Sequence, residues 1–178
     1  GFTPTIQACL RKRSPFPLRK PVAVRHIRGM LRQYELVEKV KGYDPDADED
    51  LLNKAYVFSM KAHGTQMRAS GDPYFSHPIE VAGLLTDLKL DDETIATAIL
   101  HDTIEDTTIT AEFLRNKGFP KPIVDAVVAL TKPKDCQDYL GEVRLRILPN
   151  KLARVVKISD NYANMRDRVT EWPKSPKA

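Results

Sequence analysis

The sequence has few cysteines and no long apolar run. Cys9 and Cys136 are its only cysteines among 178 residues, and they form neither a CxxC pair nor a disulfide framework. We therefore expect a reduced, intracellular protein located in the cytoplasm. No apolar run approaches the roughly 18 residues that a membrane-spanning helix requires, so we expect no membrane insertion.

The sequence also lacks strand signals. No alternating apolar pattern is bounded by hairpin turns, and no repeat of 20 to 50 residues is present. A chain of 178 residues is long enough for one domain with a core and too short for two domains of ordinary size. Helical patterns account for the chain from Met30 onward, so we predict an all-α fold, with one compact helical bundle over residues 30–178.

The first 29 residues contain no acidic side chain. Their prolines at positions 4, 15, 17 and 21 would break any helix. We predict a flexible, basic leader over residues 1–29, and we consider a targeting peptide the less favoured alternative because the segment is poor in serine and has no amphipathic period.

Charge is unevenly distributed along the chain, which has a net charge of +4. Residues 1–42 carry a net charge of +8, residues 43–143 carry −10, and residues 144–178 carry +6. The basic average therefore conceals an acidic middle. Binding of nucleic acid through the basic ends would rest on charge alone, and no recognised motif supports it.

Helix start and stop signals divide the chain after Met30. Asp48 is a suitable N-cap for a helix ending at His63, because Gly64 follows. Ser76 or His77 is expected to cap a helix whose first residue is Pro78. The complete set of predicted helices covers residues 31–41, 49–63, 78–88, 92–106, 110–118 and 122–130, with a last helix capped by Asn150.

Four polar residues follow the apolar run of the predicted 92–106 helix. Residues four apart share a helix face, so we expect His101 to lie over Glu105 and Asp102 over Asp106. Charged groups this close to a buried face need a partner, because an isolated buried charge is very costly. A divalent metal ion is one such partner, and a solvated helix end is the alternative.

Two further residues favour the metal. His77 lies at the start of an earlier predicted helix, and Asp160 lies in a run that otherwise reads as core. Together with His101 and Asp102 they give two imidazoles and two carboxylates, a donor set suited to Mn(II), Fe(II) or Zn(II). His63 falls at a predicted helix end and His26 in the leader, so we assign neither of them a ligand role.

The same residues carry a family resemblance. The order His77, His101-Asp102, Glu105-Asp106, Asp160 resembles the HD-type metal-dependent phosphohydrolases. The flanking segments RASGDPYFSHP at 68–78, HDTIEDT at 101–107 and KISDNYANMR at 157–166 resemble the hydrolase domain of the RelA/SpoT homologues. The match is close over residues 30–108, loosens over 109–154 and resumes at Lys157.

The resemblance implies an HD-domain helical bundle and a function. The family removes the 3′-pyrophosphate of the alarmones ppGpp and pppGpp with one Mn²⁺, which ends stringent-response signalling. It implies that Glu105 and Asp106 position and activate water. The remaining implied roles are Mn²⁺ ligation by His77, His101, Asp102 and Asp160, and nucleotide binding by Arg68, Ser70 and Asn164.

The resemblance is incomplete at several points. Ala69 stands where the family often has a basic residue, and Asp167 stands where a small polar residue is common, which bears on substrate preference. The family fold usually continues beyond the 18 residues that follow Asp160. Two interpretations stay open, a fragment truncated at its C-terminus and an unusually short member of the family. If helices are missing, an incomplete core favours partnering, for example as a homo-oligomer.

Two alternatives share the predicted fold. An HD phosphohydrolase could act on another nucleotide, such as the 2′-phosphate of NADPH. A catalytically degenerate module could bind a nucleotide without turning it over, although the Glu105-Asp106 pair argues against that alternative because a pure sensor has no need to activate water.

Overall fold

The computed structural model describes residues 30–68, 71–133 and 136–170, with side chains described up to residue 166. Within these ranges the fold is all-α, as predicted, and contains no strand. A single isolated bridge joins Met67 to Pro73 across a tight loop. The predicted leader at 1–29 lies outside the described residues.

Short loops connect the helices of the described ranges. The helices, in chain order, are α1 Gln33–Lys41, α2 Glu49–His63, α3 Ser76–Asp87, α4 Asp92–Leu100, α5 Thr103–Asp106, α6 Ala111–Asn116, α7 Lys121–Leu130, α8 Tyr139–Glu142, a π-helical turn at Val143–Ile147, and α9 Lys151–Thr170.

Side-chain caps set the starts of several helices, as the sequence predicts. Asp48 accepts a hydrogen bond from the Leu51 amide at 2.9 Å, and Asp91 accepts one from the Thr94 amide at 2.8 Å. Such caps satisfy amides that have no partner inside the helix. Thr110 and Asn150 cap α6 and α9 in the same way.

Several predicted boundaries are wrong, among them the start of α1 at Gln33 and the end of α6 at Asn116. Helix α3 begins at Ser76 rather than Pro78, because a tight turn before it already carries the chain into helical geometry: the Ser76 amide bonds the Pro73 carbonyl at 3.0 Å. The Ser76 hydroxyl also donates to that carbonyl and caps nothing. Proline at position 78 is still within the first turn, where it is tolerated.

The predicted 92–106 helix is in fact two helices. Helix α4 ends at Leu100, and α5 begins at Thr103. The Thr103 hydroxyl donates to the Leu100 carbonyl at 2.7 Å, and the His101 ring donates to the Ala98 carbonyl at the same distance. Side chains thus take carbonyls at the end of α4, and local bonds of this kind compete with a continuing helix.

Helix α4 lies at the centre of the bundle. Every residue from Thr94 to Leu100 is buried, and α4 packs against α2, α3, α7 and α9. Its apolar side chains join one core that extends from α1 to α9. The C-terminal end of α4 therefore delivers His101 and Asp102 to the interior. No helix in the described ranges is sufficiently long and apolar to cross a bilayer.

The cap of this central helix can be tested. Asp91→Ala leaves the Thr94 amide without its acceptor, so we expect the free energy of unfolding to fall by about 1 kcal/mol. Urea denaturation measures it, and Asp46→Ala in the exposed loop before α2 is the control. Equal stability of both variants would show that the cap contributes nothing.

Candidate metal centre

Three of the predicted ligands form a compact cluster. The ligand atoms of His77, His101 and Asp102 all lie within 4.8 Å of one another. His101 Nε2 is 3.0 Å from Asp102 Oδ1, and His77 Nε2 is 4.0 Å from Asp102 Oδ2. Atoms bound at about 2.1 Å to one metal ion lie roughly 3 to 4 Å from each other, so these separations fit a shared cation.

Asp160 reaches the same point from α9. Its Oδ1 lies 3.0 Å from His77 Nε2 and 3.8 Å from His101 Nε2. The two histidines and Asp160 are all buried, with no more than 5% of each residue exposed. The fold thus brings together four residues that are up to 83 positions apart in the sequence.

The donor chemistry of His101 fits a metal ion. Its Nδ1 lies 2.7 Å from the Ala98 carbonyl, which can only accept, so Nδ1 carries the hydrogen. In the neutral ring, Nε2 then carries the lone pair. Nε2 is buried without a hydrogen-bond partner. A histidine oriented through its other nitrogen is the usual arrangement for a metal ligand.

The charges within the cluster compensate one another. Burial opposes the charged form of His101, but Asp102 and Asp160 outweigh it and raise the pKa of His101 to about 9. Burial would raise the pKa of Asp160, yet the nearby charge of His101 and the hydrogen bonds from His77 and Lys157 hold it well below its ordinary value. A proton on His101 thus stabilises the acidic pocket, and a metal ion would have to displace it.

A second group of side chains surrounds Asp160. Lys157 Nζ donates to Asp160 Oδ2 at 2.9 Å, and Asn164 Nδ2 donates to Oδ1 at 2.6 Å. The Asn164 oxygen in turn accepts from Arg68 at 3.4 Å. Two predicted nucleotide contacts therefore touch each other beside the cluster. The role of Lys157 was not predicted, although its position one turn before Asp160 was a usable signal.

Glu105 and Asp106 lie on α5, close to the cluster but held by different partners. Glu105 Oε2 accepts from the Lys132 amide at 2.8 Å. Asp106 Oδ2 accepts from the Tyr74 hydroxyl at 2.5 Å. The single helix face expected for His101 and Glu105 does not exist, because the chain breaks between α4 and α5.

Some sequence-based expectations cannot be placed. Ser70 and Ala69 lie outside the described residues, and so does the side chain of Asp167. Conversely, sequence patterns favoured a packing role for Tyr74, with stacking on a base as the less favoured alternative. Its contact with Asp106 was not predicted, because it depends on two segments that only the fold brings together.

The candidate residues share one cavity of about 220 Å³. Its walls include the four clustered residues, both α5 carboxylates, and Arg68, Tyr74, Lys157 and Asn164. A larger cavity of about 420 Å³ lies elsewhere, between α1 and α3. Its charged groups are paired as Lys39 with Asp87 and Arg166 with Glu80, and it contains none of the predicted ligands.

Comparison with known proteins agrees with this geometry. A family model described as HD domain matches residues 55–166, more than half of the chain. The chain is 50% identical over 146 residues to a GTP pyrophosphokinase rsh of Brucella ovis, covering 77% of this chain and 19% of that protein. It is 40% identical over 143 residues to a guanosine-3′,5′-bis(diphosphate) 3′-pyrophosphohydrolase of Aquifex aeolicus, covering 78% and 20%. The chain thus spans about a fifth of the length of these relatives.

Metal binding can be measured directly. We expect Mn²⁺ to raise the melting temperature of the protein, since a ligand that binds only the folded state adds about 2.7 kcal/mol at 100 times its dissociation constant. His101→Ala and Asp160→Asn should lose most of this shift.

His26→Ala is the matched control, because His26 is a histidine outside the predicted ligand set. Circular dichroism of the metal-free variants checks that they are folded. An unchanged Mn²⁺ shift in folded His101→Ala would contradict the assignment.

Proposed function

Since the chain belongs to the HD-domain family and is an HD domain of the RelA/SpoT homologues, we propose that it hydrolyses ppGpp and pppGpp to GDP or GTP and pyrophosphate with Mn²⁺ as cofactor. The observation that carries the proposal is one cavity lined by two histidines, by Asp102 and Asp160, and by the separate pair of carboxylates Glu105 and Asp106. The name of the Aquifex aeolicus relative supports the substrate. In this proposal, residues 30–178 are the hydrolase domain and act in the cytoplasm.

The proposed ligands are His77, His101, Asp102 and Asp160. When bound, the cation would polarise a phosphoryl oxygen and lower the pKa of the attacking water from 15.7 towards about 7. Lys157 and Asn164 hold Asp160 from both of its oxygens and so fix the carboxylate in place. Partners of this kind orient a ligand and tune its basicity.

The α5 carboxylates supply acid–base chemistry. In the proposed reaction the water oxygen bonds to the phosphorus attached to O3′, and the P–O3′ bond breaks. Asp106, with Glu105 beside it, orients the water and accepts its proton, while the bonding electron pair goes to O3′, which takes up a proton. A positioned general base contributes about 10²- to 10⁴-fold to such a step.

Nucleotide binding is assigned to the rim of the cavity. Arg68 supplies a permanent positive charge and a planar set of donors, which suits phosphate or a stacked base. Asn164 links Arg68 to Asp160, and Ser70, two positions after Arg68 in the sequence, is assigned to nucleotide binding as well. A volume of about 220 Å³ is below the range of whole-ligand sites. We therefore place the reacting diphosphate inside and the rest of the nucleotide across the rim.

Product identification tests the reaction. Incubated with Mn²⁺, the protein should release pyrophosphate from ppGpp and pppGpp, and EDTA should stop the release. We expect Asp106→Asn to reduce kcat by about 10²-fold or more, and His101→Ala to abolish turnover.

NADPH is incubated with the protein and Mn²⁺ in the same experiment, as a test of the alternative substrate. Orthophosphate from NADPH without action on ppGpp would replace the proposed substrate while leaving the metal centre intact. Binding of ppGpp without turnover would indicate a degenerate module, and equal rates in wild type and His101→Ala would remove the metal mechanism.

The role of Arg68 can be tested by comparing its effects on KM and on kcat. Arg68→Ala removes a charge that contacts the nucleotide rather than the reacting water, so we expect KM for ppGpp to rise about tenfold or more, with a smaller change in kcat. Steady-state kinetics measures both parameters. Arg154→Ala, on the exposed side of α9, is the control. A loss confined to kcat would place Arg68 in the chemical step instead.

A further inference from the structure

The Tyr74 side chain lies between the loop before α3 and the α5 carboxylates. Resting on the proposed function, we propose that Tyr74 is a positioning residue for Asp106. Its hydroxyl holds the Asp106 carboxylate in the orientation that water activation requires.

The contact is direct and short. Tyr74 Oη donates to Asp106 Oδ2 at 2.5 Å, across 32 residues of sequence. Asp106 is the last residue of α5, a helix of only four residues, and the chain becomes extended at Thr107. So short an element fixes its last side chain poorly by itself. The Tyr74 hydroxyl therefore selects the orientation of the carboxylate, which still has free lone-pair positions for water.

A buried histidine supports the tyrosine from behind. The ring of His63 stacks on the ring of Tyr74, with centroids 5.0 Å apart and an angle of 21° between the planes. His63 is the last residue of α2 and is only 2% exposed. The tyrosine ring is thus packed against a residue that the core itself holds.

A second contact, from the Gln66 side chain, holds the backbone of Asp106. Gln66 Nε2 donates to the Asp106 carbonyl at 2.8 Å, and Gln66 Oε1 lies 3.1 Å from His63 Nδ1. A carbonyl can only accept, so the Gln66 nitrogen must face Asp106 and its oxygen must face His63. It follows that His63 carries its hydrogen on Nδ1. Gln66 is exposed, so water competes with its hydrogen bond to the Asp106 carbonyl. The hydroxyl of Tyr74 is therefore the stronger constraint on Asp106.

The hydroxyl remains a donor at all working pH values. Burial, the charge of Asp102 and the hydrogen bond to Asp106 together raise the pKa of Tyr74 far above its ordinary value, and the opposing effect of Arg68 is smaller. Tyr74 therefore keeps its proton and its bond to the carboxylate. Its action is geometric, with no proton passed to or from the substrate.

Removal of the single hydroxyl tests the assignment. Tyr74→Phe retains the ring that packs on His63, and we expect kcat for ppGpp to fall at least about tenfold, since a displacement of about 1 Å at a reacting group can cost 10²-fold. KM and Mn²⁺ affinity should be unchanged. The matched control is Tyr43→Phe. It removes a tyrosine hydroxyl that donates to the Leu90 backbone carbonyl at 2.6 Å, and Tyr43 does not line the cavity. The control should retain wild-type kcat.

A double-mutant cycle separates positioning from general damage. If Tyr74 acts only through the Asp106 carboxylate, Tyr74→Phe should have no further effect in the Asp106→Asn background. Equal losses in both backgrounds, or wild-type kcat in Tyr74→Phe, would overturn the proposal. Absence of turnover in the wild type would instead refute the proposed function.

The remaining measurement needs no turnover. Nitrogen-15 NMR of the histidine rings should show His63 with its hydrogen on Nδ1, because its partner is the Gln66 side-chain oxygen. A hydrogen on Nε2 would show that Gln66 does not connect His63 to the Asp106 backbone, and it would overturn that part of the proposed support.

Discussion

The burial of the Asp160 carboxylate is the constraint on which the arrangement of this protein depends. A buried carboxylate is tolerated only where other groups compensate its charge. Here His77 is supplied by α3, His101 by the end of α4, and Lys157 and Asn164 by the turns on either side of Asp160 in α9. Three helices must therefore meet at one point. Removal of His77 or Lys157 would take away one of the groups that compensate the buried carboxylate.

The break after Leu100 explains how two adjacent residues serve one site. Successive residues of a continuous helix point about 100° apart. Because α4 ends at Leu100, both His101 and Asp102 direct ligand atoms at the same point, 3.0 Å from each other. The apolar length of α4 anchors this turn in the core, so the geometry of the cluster is supported by hydrophobic packing rather than by the loop itself.

The side chains on the two sides of the cavity are held in place by different interactions. On one side, the buried His77 and His101 and the partly buried Asp102 cluster closely enough to hold a cation, and the buried Asp160 lies beside both histidines. On the other, Glu105 and Asp106 belong to a short helix whose side chains are held by a backbone amide and by a tyrosine hydroxyl. This separation keeps Glu105 and Asp106, the proposed acid–base groups, apart from the proposed ligand cluster. It also makes them dependent on contacts from distant loops.

Much of the fold follows from local signals in the sequence. The caps at Asp48, Asp91 and Asn150 set helix starts because their oxygens lie next to amides of the same turn. The two-histidine, two-aspartate set was also visible from residue type, since polar groups within apolar runs need a partner. What local patterns could not provide was the break between α4 and α5 and the contact of Tyr74 with Asp106. The break depends on side chains that compete with backbone amides for the Ala98 and Leu100 carbonyls. The contact depends on segments 32 residues apart meeting in space. The sequence by itself determined which residues have the chemistry to bind a cation or activate water. Only tertiary packing decided which of these residues face each other and which neighbouring side chains hold them in place.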